Sequence, residues 1–242
     1  MSNQNYNSTQ NQNYPLSPEI DQETQQMKDF DKQLRLGFIR KVYGILSFQM
    51  LFTVFMCALT FLNPVNRFYK QHIYIFFICI VLSIFLIITL VCFQEVAKRV
   101  PTNYILLGLF TFCEAYMIAT LCSFYAPNIV IMAGSMTAAI TLGLTCYACT
   151  TKTDFTFLGG FLFCALILLF CLGIFSIFFP FLHTLYCVIG VLVFSLYLIY
   201  DTQLIMGKFG ESFEIDDYII AALMVYLDIV NIFIFILSMF GR

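Results

Sequence analysis

Three acidic residues stand inside long apolar runs of this chain: Glu114, Asp201 and Asp228. No Lys or Arg lies comparably deep. An acid in hydrocarbon is costly, so side chains of this kind mark ion or proton routes, or buried hydrogen bonds between helices. Asp201 and Asp228 sit on successive apolar segments joined by a short connection. Such segments pack side by side as antiparallel neighbours. Their two carboxyls are then expected to meet and to share a proton rather than both ionise. Protonated, the pair closes by a hydrogen bond; deprotonated, it repels, opens and attracts a cation. Three deep acids with no internal base favour a cation or proton route over an anion route. Oxygen-only ligands suit Ca²⁺ or H⁺ over soft metals. Asp201 and Asp228 are therefore candidates for a pH sensor and gate and for transient Ca²⁺ ligands, and Glu114 for a pore acid or a packing acid. Lys98 and Arg99 end the second apolar run, and either can reach inward to latch a carboxylate. An acidic stretch before the last run (Glu211, Glu214, Asp216, Asp217) either concentrates cations at a mouth or is a solvated loop.

Other chemistries are poorly served. There is no Ser/His/Asp or Cys/His arrangement, and His72 and His183 fall at the ends of apolar runs, so no enzyme is expected and no cofactor is called for. All ten cysteines lie in apolar stretches, which is not the pattern of a disulfide framework. Cys146-x-x-Cys149 has redox or metal spacing but no accompanying ligand pair. A net charge of −2 offers no basic surface to nucleic acid.

The elements that must hold the acids are legible from composition. The chain of 242 residues is 61% hydrophobic and 11% charged, with a mean hydropathy of +0.88. A soluble domain carries roughly 25% charged residues. A bilayer core needs about 20 apolar residues of helix. Seven runs qualify: Val42–Leu62, Ile73–Phe93, Tyr104–Ser123, Ile129–Thr150, Phe155–Phe175, Leu185–Met206 and Tyr218–Phe240. They are continuously apolar and do not alternate, which argues against a barrel and for helices. Asn63-Pro64, Pro101-Thr102-Asn103, Pro127, Thr151-Lys152-Thr153-Asp154, Pro180 and the stretch from Gly207 to Asp217 punctuate them, and Asp216 and Asp217 can cap the last helix. At ~1.5 Å per residue, Glu114 and Asp228 lie ~15 Å deep and Asp201 ~8 Å deep, measured from one side. Nine of the twelve Lys and Arg residues fall on that side, which predicts a cytosolic N-terminus and a C-terminus across the membrane. Small residues cluster in the fourth run (Ala133, Gly134, Ser135, Thr137, Ala138, Ala139, Thr141, Gly143), a face expected to pack closely against other helices. Residues 1–35 are expected to be a disordered, Asn/Gln-rich cytosolic tail in which Ser17-Pro18 is a candidate phosphosite, and residues 36–242 the transmembrane domain.

Several of these residues also carry a family resemblance. The segment Ser195 to Gln203, Asp217-Tyr218, and the segment Ala221 to Asn231 closely resemble the transmembrane Bax inhibitor motif family, nearest its Lifeguard (glutamate-receptor-associated) branch. Arg40-Lys41-Val42-Tyr43 with Gln49-Met50-Leu51, Thr151 to Thr156, and Pro101-Thr102-Asn103 leading to Glu114 are similar to the same branch. The likeness covers about residues 35–242. It implies an all-α, seven-helix membrane fold with the C-terminal helix central. It further implies a pH-sensitive Ca²⁺ leak and restraint of cell death, with Asp201 and Asp228 as the paired-aspartate sensor and a basic residue ending helix two, here Lys98 or Arg99, as its latch. Endoplasmic reticulum, Golgi or another endomembrane is the expected location, although the plasma membrane also hosts the family. The implied partners are Ca²⁺, H⁺, the lipid bilayer and cell-death regulatory membrane proteins. Two other functions compete with a leak channel: a non-conducting adaptor that modulates apoptosis or receptor signalling through helix contacts, and a proton-coupled transporter.

Overall fold

The structure, a computed structural model, describes residues 18–210 and 212–240. Seven of its helices are long and apolar enough to cross a membrane. The first, α1 (Pro18–Leu59), has 42 residues. At ~1.5 Å per residue it runs ~63 Å, about twice a bilayer core, so its N-terminal part stands clear of the hydrocarbon. The helix thus begins inside the stretch expected to be tail. Two physical reasons account for this. Pro18 at the first helical position brings a φ already suited to a helix. The Glu, Gln and Lys residues that follow extend a helix already nucleated by the apolar segment below, which removes the nucleation cost that a free peptide would meet. Residues 1–17, with the Ser17 phosphosite expectation, lie outside the described residues.

The remaining spans fall within a few residues of the expected runs: α3 (Ile73–Cys92), α5 (Thr102–Ser123), α6 (Pro127–Thr150), α7 (Gly159–Phe178), α8 (Phe181–Met206) and α9 (Tyr218–Phe240). Two short helices were not expected. In α2 (Asn63–Gln71) the Asn63-Pro64 break starts a new helix, with Pro64 near its N-terminus. Its Tyr69 packs on Tyr116 of α5 with ring centroids 5.0 Å apart. The other, α4 (Gln94–Lys98), is one turn that follows α3 after Phe93.

Two helices are enclosed. In α9 and α5, 67% and 61% of the most apolar window is buried, against 17–33% in the other five spans. Helix α9 touches α1, α5, α6 and α8, and the core runs along it from Tyr218 to Leu237. The central C-terminal helix is therefore present, but α5 forms a second interior element beside α1 and α3. Helices α8 and α9 share the most extensive contact in the molecule, and a close approach makes it possible. A Cβ at Gly190 would lie 2.6 Å from the ring of Phe235.

Candidate functional site

Asp201 lies five residues before the end of α8, and Asp228 ten residues after the start of α9. For carboxyls so placed to meet, α9 must begin about five residues, or ~8 Å, beyond the level where α8 ends. The connection over residues 207–217 permits that offset. The two carboxyls lie close enough to interact directly, and each residue is only 4% exposed. Among the described residues no group donates to Asp228 Oδ2. Two negative charges in such contact repel strongly in a low-dielectric interior. Tyr197, one turn before Asp201 on α8, lies near both acids.

Glu114 is not part of this pair. Ser83 Oγ of α3 donates to its Oε1 at 2.5 Å. Its neighbour on the central helix is Tyr226, which stacks edge-on to Phe110 of α5 and meets Thr53 Oγ1 of α1 at 2.9 Å. Positions 226 and 228 point about 200° apart around a helix. Helix α9 thus stands between two buried acid sites, Asp201/Asp228 on its α8 side and Glu114 on its α1/α5 side.

The latch candidates also lie elsewhere. Lys98 Nζ bonds Glu214 at 2.6 Å and sits 3.3 Å from Asp217. It strengthens the connection before α9 and does not reach the aspartate pair. The hydrogen bond to Glu214, followed by the ion pair with Asp217, raises the Lys98 ammonium, and Lys98 in turn holds the Glu214 carboxyl below its usual range. Two of the four loop acids are thereby engaged by a lysine and not left to gather cations. Arg99 is exposed, and Glu211 lies outside the described residues.

Other groups at this end were given no site role from the sequence. Arg35 Nη1 donates to Phe213 O at 2.7 Å, and Nη2 donates to Leu204 O. One guanidinium thus holds both the end of α8 and the following loop, a favourable place for a cation because carbonyls are left over at a helix C-terminus. Gly207, at φ +63°, ends α8, and a Cβ there would come within 2.7 Å of Arg35. Gln203 donates to Thr153 O at 2.9 Å and accepts from Phe155 N at 2.8 Å, fixing the α6–α7 connection. Asn103 donates to Ala97 O and to Tyr218 Oη at the start of α9. Lys41 sits over the Tyr218 ring at 5.0 Å. The sequence marked Lys41, Asn103 and Gln203 as parts of the resembling motifs and as polar residues at run ends, and neither names a partner.

The opposite half of the bundle is different in character. A cavity of about 460 Å³ opens between α1 and α6 over a floor of Ile229, Val230 and Phe233 of α9. Its walls are apolar apart from Thr53, Thr137 and Thr141. Ala133 and Thr137 of the small-residue face are buried, whereas Ser135, Ala138, Ala139 and Gly143 remain exposed, so that face is only partly used within the chain.

A family model described as "Inhibitor of apoptosis-promoting Bax1" matches residues 35–242. The chain is 39% identical over 219 residues to protein lifeguard 3 of Homo sapiens, covering 87% of this chain and 70% of that protein. Protein lifeguard 3 of Mus musculus is 36% identical over 219 residues, with 87% and 71% covered. Protein LIFEGUARD 4 of Arabidopsis thaliana is 35% identical over 215 residues, with 86% and 85% covered.

Proposed function

The chain belongs to the transmembrane Bax inhibitor family, a family of multi-pass membrane proteins linked to inhibition of apoptosis, and from that premise we propose that it is a pH-sensitive Ca²⁺ leak channel whose gate is the Asp201–Asp228 pair and whose leak restrains cell death. The observation that carries the reading is the direct contact of these two buried carboxyls across the largest helix interface of the molecule. With a proton between them, the pair holds α8 against α9. When the proton leaves, like charges face each other in low dielectric and drive the helices apart. The same two carboxylates then offer oxygen ligands to a passing Ca²⁺, a hard cation that takes oxygen donors. The apolar lining of the opposite half, floored by the turn of α9 that follows Asp228, resists wetting while the helices are together. On the basic side, Lys98, Arg35 and Asn103 tie down the elements around the pair. The predicted sidedness places this end in the cytosol, and the implied site of action is an endomembrane.

The test is Ca²⁺ flux into liposomes containing only this protein, measured against pH. Flux is expected to rise as pH increases through neutrality. Asp201→Asn and Asp228→Asn, which keep the shape but cannot release the shared proton, are expected to flatten that profile and cut flux several-fold. Parent flux and parent pH dependence in both variants would remove the basis of the proposal. The adaptor reading draws on the apolar cavity and the exposed part of the α6 small-residue face, and it expects no flux at all in the same liposomes. A proton-coupled transporter would need a proton gradient, which the symmetric-pH arm of the assay omits.

A further inference from the structure

We infer that Cys57 of α1 and Cys122 of α5 form a two-electron redox site, a facing dithiol that a small peroxide converts to a disulfide joining the two helices. Their sulfurs lie 3.8 Å apart, and both are free thiols. A disulfide bond is about 2.05 Å long, so side-chain rotation and a small helix adjustment must supply about 1.8 Å. The structure holds the ends of the two helices in place for this. Cys57 is two residues from the end of α1, and Cys122 one residue from the end of α5. Asn66 of α2 donates both to Thr60 O, just past α1, and to Ser123 O, at the end of α5, at 3.1 and 3.2 Å. Thr60 Oγ1 in turn donates to Cys57 O at 2.6 Å. One asparagine thus fixes the two termini that carry the thiols.

Access gives the pair an order of reaction. Cys57 is partly exposed and lines the apolar cavity between α1 and α6, whereas Cys122 is 1% exposed behind it. Hydrogen peroxide is small and uncharged enough to enter that cavity. The sulfur of Cys57 attacks one peroxide oxygen; the O–O bond breaks, water leaves, and Cys57 carries a sulfenic acid. The sulfur of Cys122, already in contact, then displaces the sulfenic hydroxyl. The S–S bond forms, the S–O bond breaks, and the hydroxyl leaves as water with the Cys122 thiol proton. In total, two thiols lose two electrons and two protons, and one peroxide becomes two waters. Proximity makes the second step effectively unimolecular.

The other thiols lack this combination. Cys79 of α3 and Cys113 of α5 also meet, but both are buried in a closed cluster with Tyr69 and Tyr116 and neither lines the cavity. Cys92 of α3 and Cys164 and Cys171 of α7 are exposed, and the two on α7 belong to one helix and, among the described residues, do not face a thiol of another. Cys146 and Cys149 share one helix. The redox site does not depend on whether the chain conducts ions.

The test uses the full chain in liposomes, exposed to hydrogen peroxide, denatured in the presence of an alkylating reagent, digested and read by mass spectrometry. A linked peptide joining residues 57 and 122 is expected, released by dithiothreitol, with both thiols at least tenfold less alkylated than in the untreated protein. Cys57→Ser and Cys122→Ser should each abolish the link, and Cys79→Ser should leave it intact. Because the unmutated chain alone decides the result, a poorly folding variant does not blunt it. Full alkylation of both residues after treatment, or a Cys57 sulfinic acid with no link, would overturn the inference.

Discussion

The buried acids divide by what each carboxyl is asked to do. Glu114 accepts from Ser83 and has no acidic partner. A neutral amide can accept the same hydrogen bond. Glu114→Gln should therefore shift thermal unfolding in detergent by the equivalent of less than about 1 kcal/mol, whereas Glu114→Ala leaves Ser83 unsatisfied beside a void and should cost about 2–4 kcal/mol. Equal losses in the two variants would mean that the charge of Glu114, and not its hydrogen bond, is what the fold requires. The Asp201–Asp228 pair behaves differently because each acid is the other's partner. Asp201→Ala leaves Asp228 buried without a donor and should destabilise by about 2–4 kcal/mol, while Asp201→Asn supplies an N–H to it and should retain most stability. The existence of all three acids was legible from the sequence, since a carboxyl in an apolar run needs no alignment to be noticed. Which of them meet was legible only for the pair, because antiparallel sequence neighbours pack together. That Glu114 falls on the far side of α9 depends on the rotation of α5 and α9 about their own axes, and near-uniform apolarity leaves that rotation unmarked.

At the level of elements, the α8–α9 seam and the connection that crosses its end decide whether the pair can stay together. Gly190→Leu pushes a branched side chain into the ring of Phe235, 2.6 Å from where its Cβ must lie. The expected result is loss of the tight seam, read as reduced folded yield or as a lower unfolding temperature than Gly108→Leu, where a Cβ meets nothing within 4 Å. The clasp of Lys98 on Glu214 has a definite pH window. Glu214 is held below the usual carboxylate range, so its contribution is present at neutral pH and is lost as pH falls through that lowered value. Lys98 is raised, so its contribution is present below the ordinary lysine range and is lost only as pH climbs through the raised value. Amide exchange across residues 207–217, corrected for its intrinsic pH dependence, should therefore be slowest between those limits. Lys98→Gln should accelerate it, and high salt should do the same because the Glu214 partner is largely exposed. Exchange indifferent to both would show that the loop is held by Arg35 alone. Helix positions were readable because apolar length reports a span directly. The clasp was not, since a lysine at a span end looks the same whether it anchors to lipid headgroups or bonds a loop acid 116 residues away. Helix α2 escaped notice for a related reason: Asn63-Pro64 marks a break equally well whether the chain then turns or begins a new helix.

On the scale of the whole molecule, the bundle is polarised. One end carries the charged side chains that bond across helices, among them Arg35, Lys98 and Glu214, together with the polar Gln203 and Asn103. The other end holds an apolar cavity and a facing thiol pair. A central C-terminal helix was implied by the family resemblance rather than by hydropathy, since α9 is no more apolar than α3, whose mean hydropathy of 3.3 exceeds its 2.5. The enclosed position of α9 follows instead from its contacts with α1, α5, α6 and α8. Polarity has a consequence for insertion. Lysines and arginines near span ends resist translocation, so the end bearing Lys41, Lys98, Lys152 and Lys208 should stay in the cytosol while Arg67 and Lys70 cross. Asp216 and Arg67 are exposed at opposite ends, which makes both usable as cysteine reporters. In sealed membranes a charged, impermeant maleimide should label Asp216→Cys only from the cytosolic face and Arg67→Cys only from the opposite face. The reversed pattern would place the strapped end outside the cytosol, and a cytosolic proton could then no longer be the one that the aspartate pair senses first.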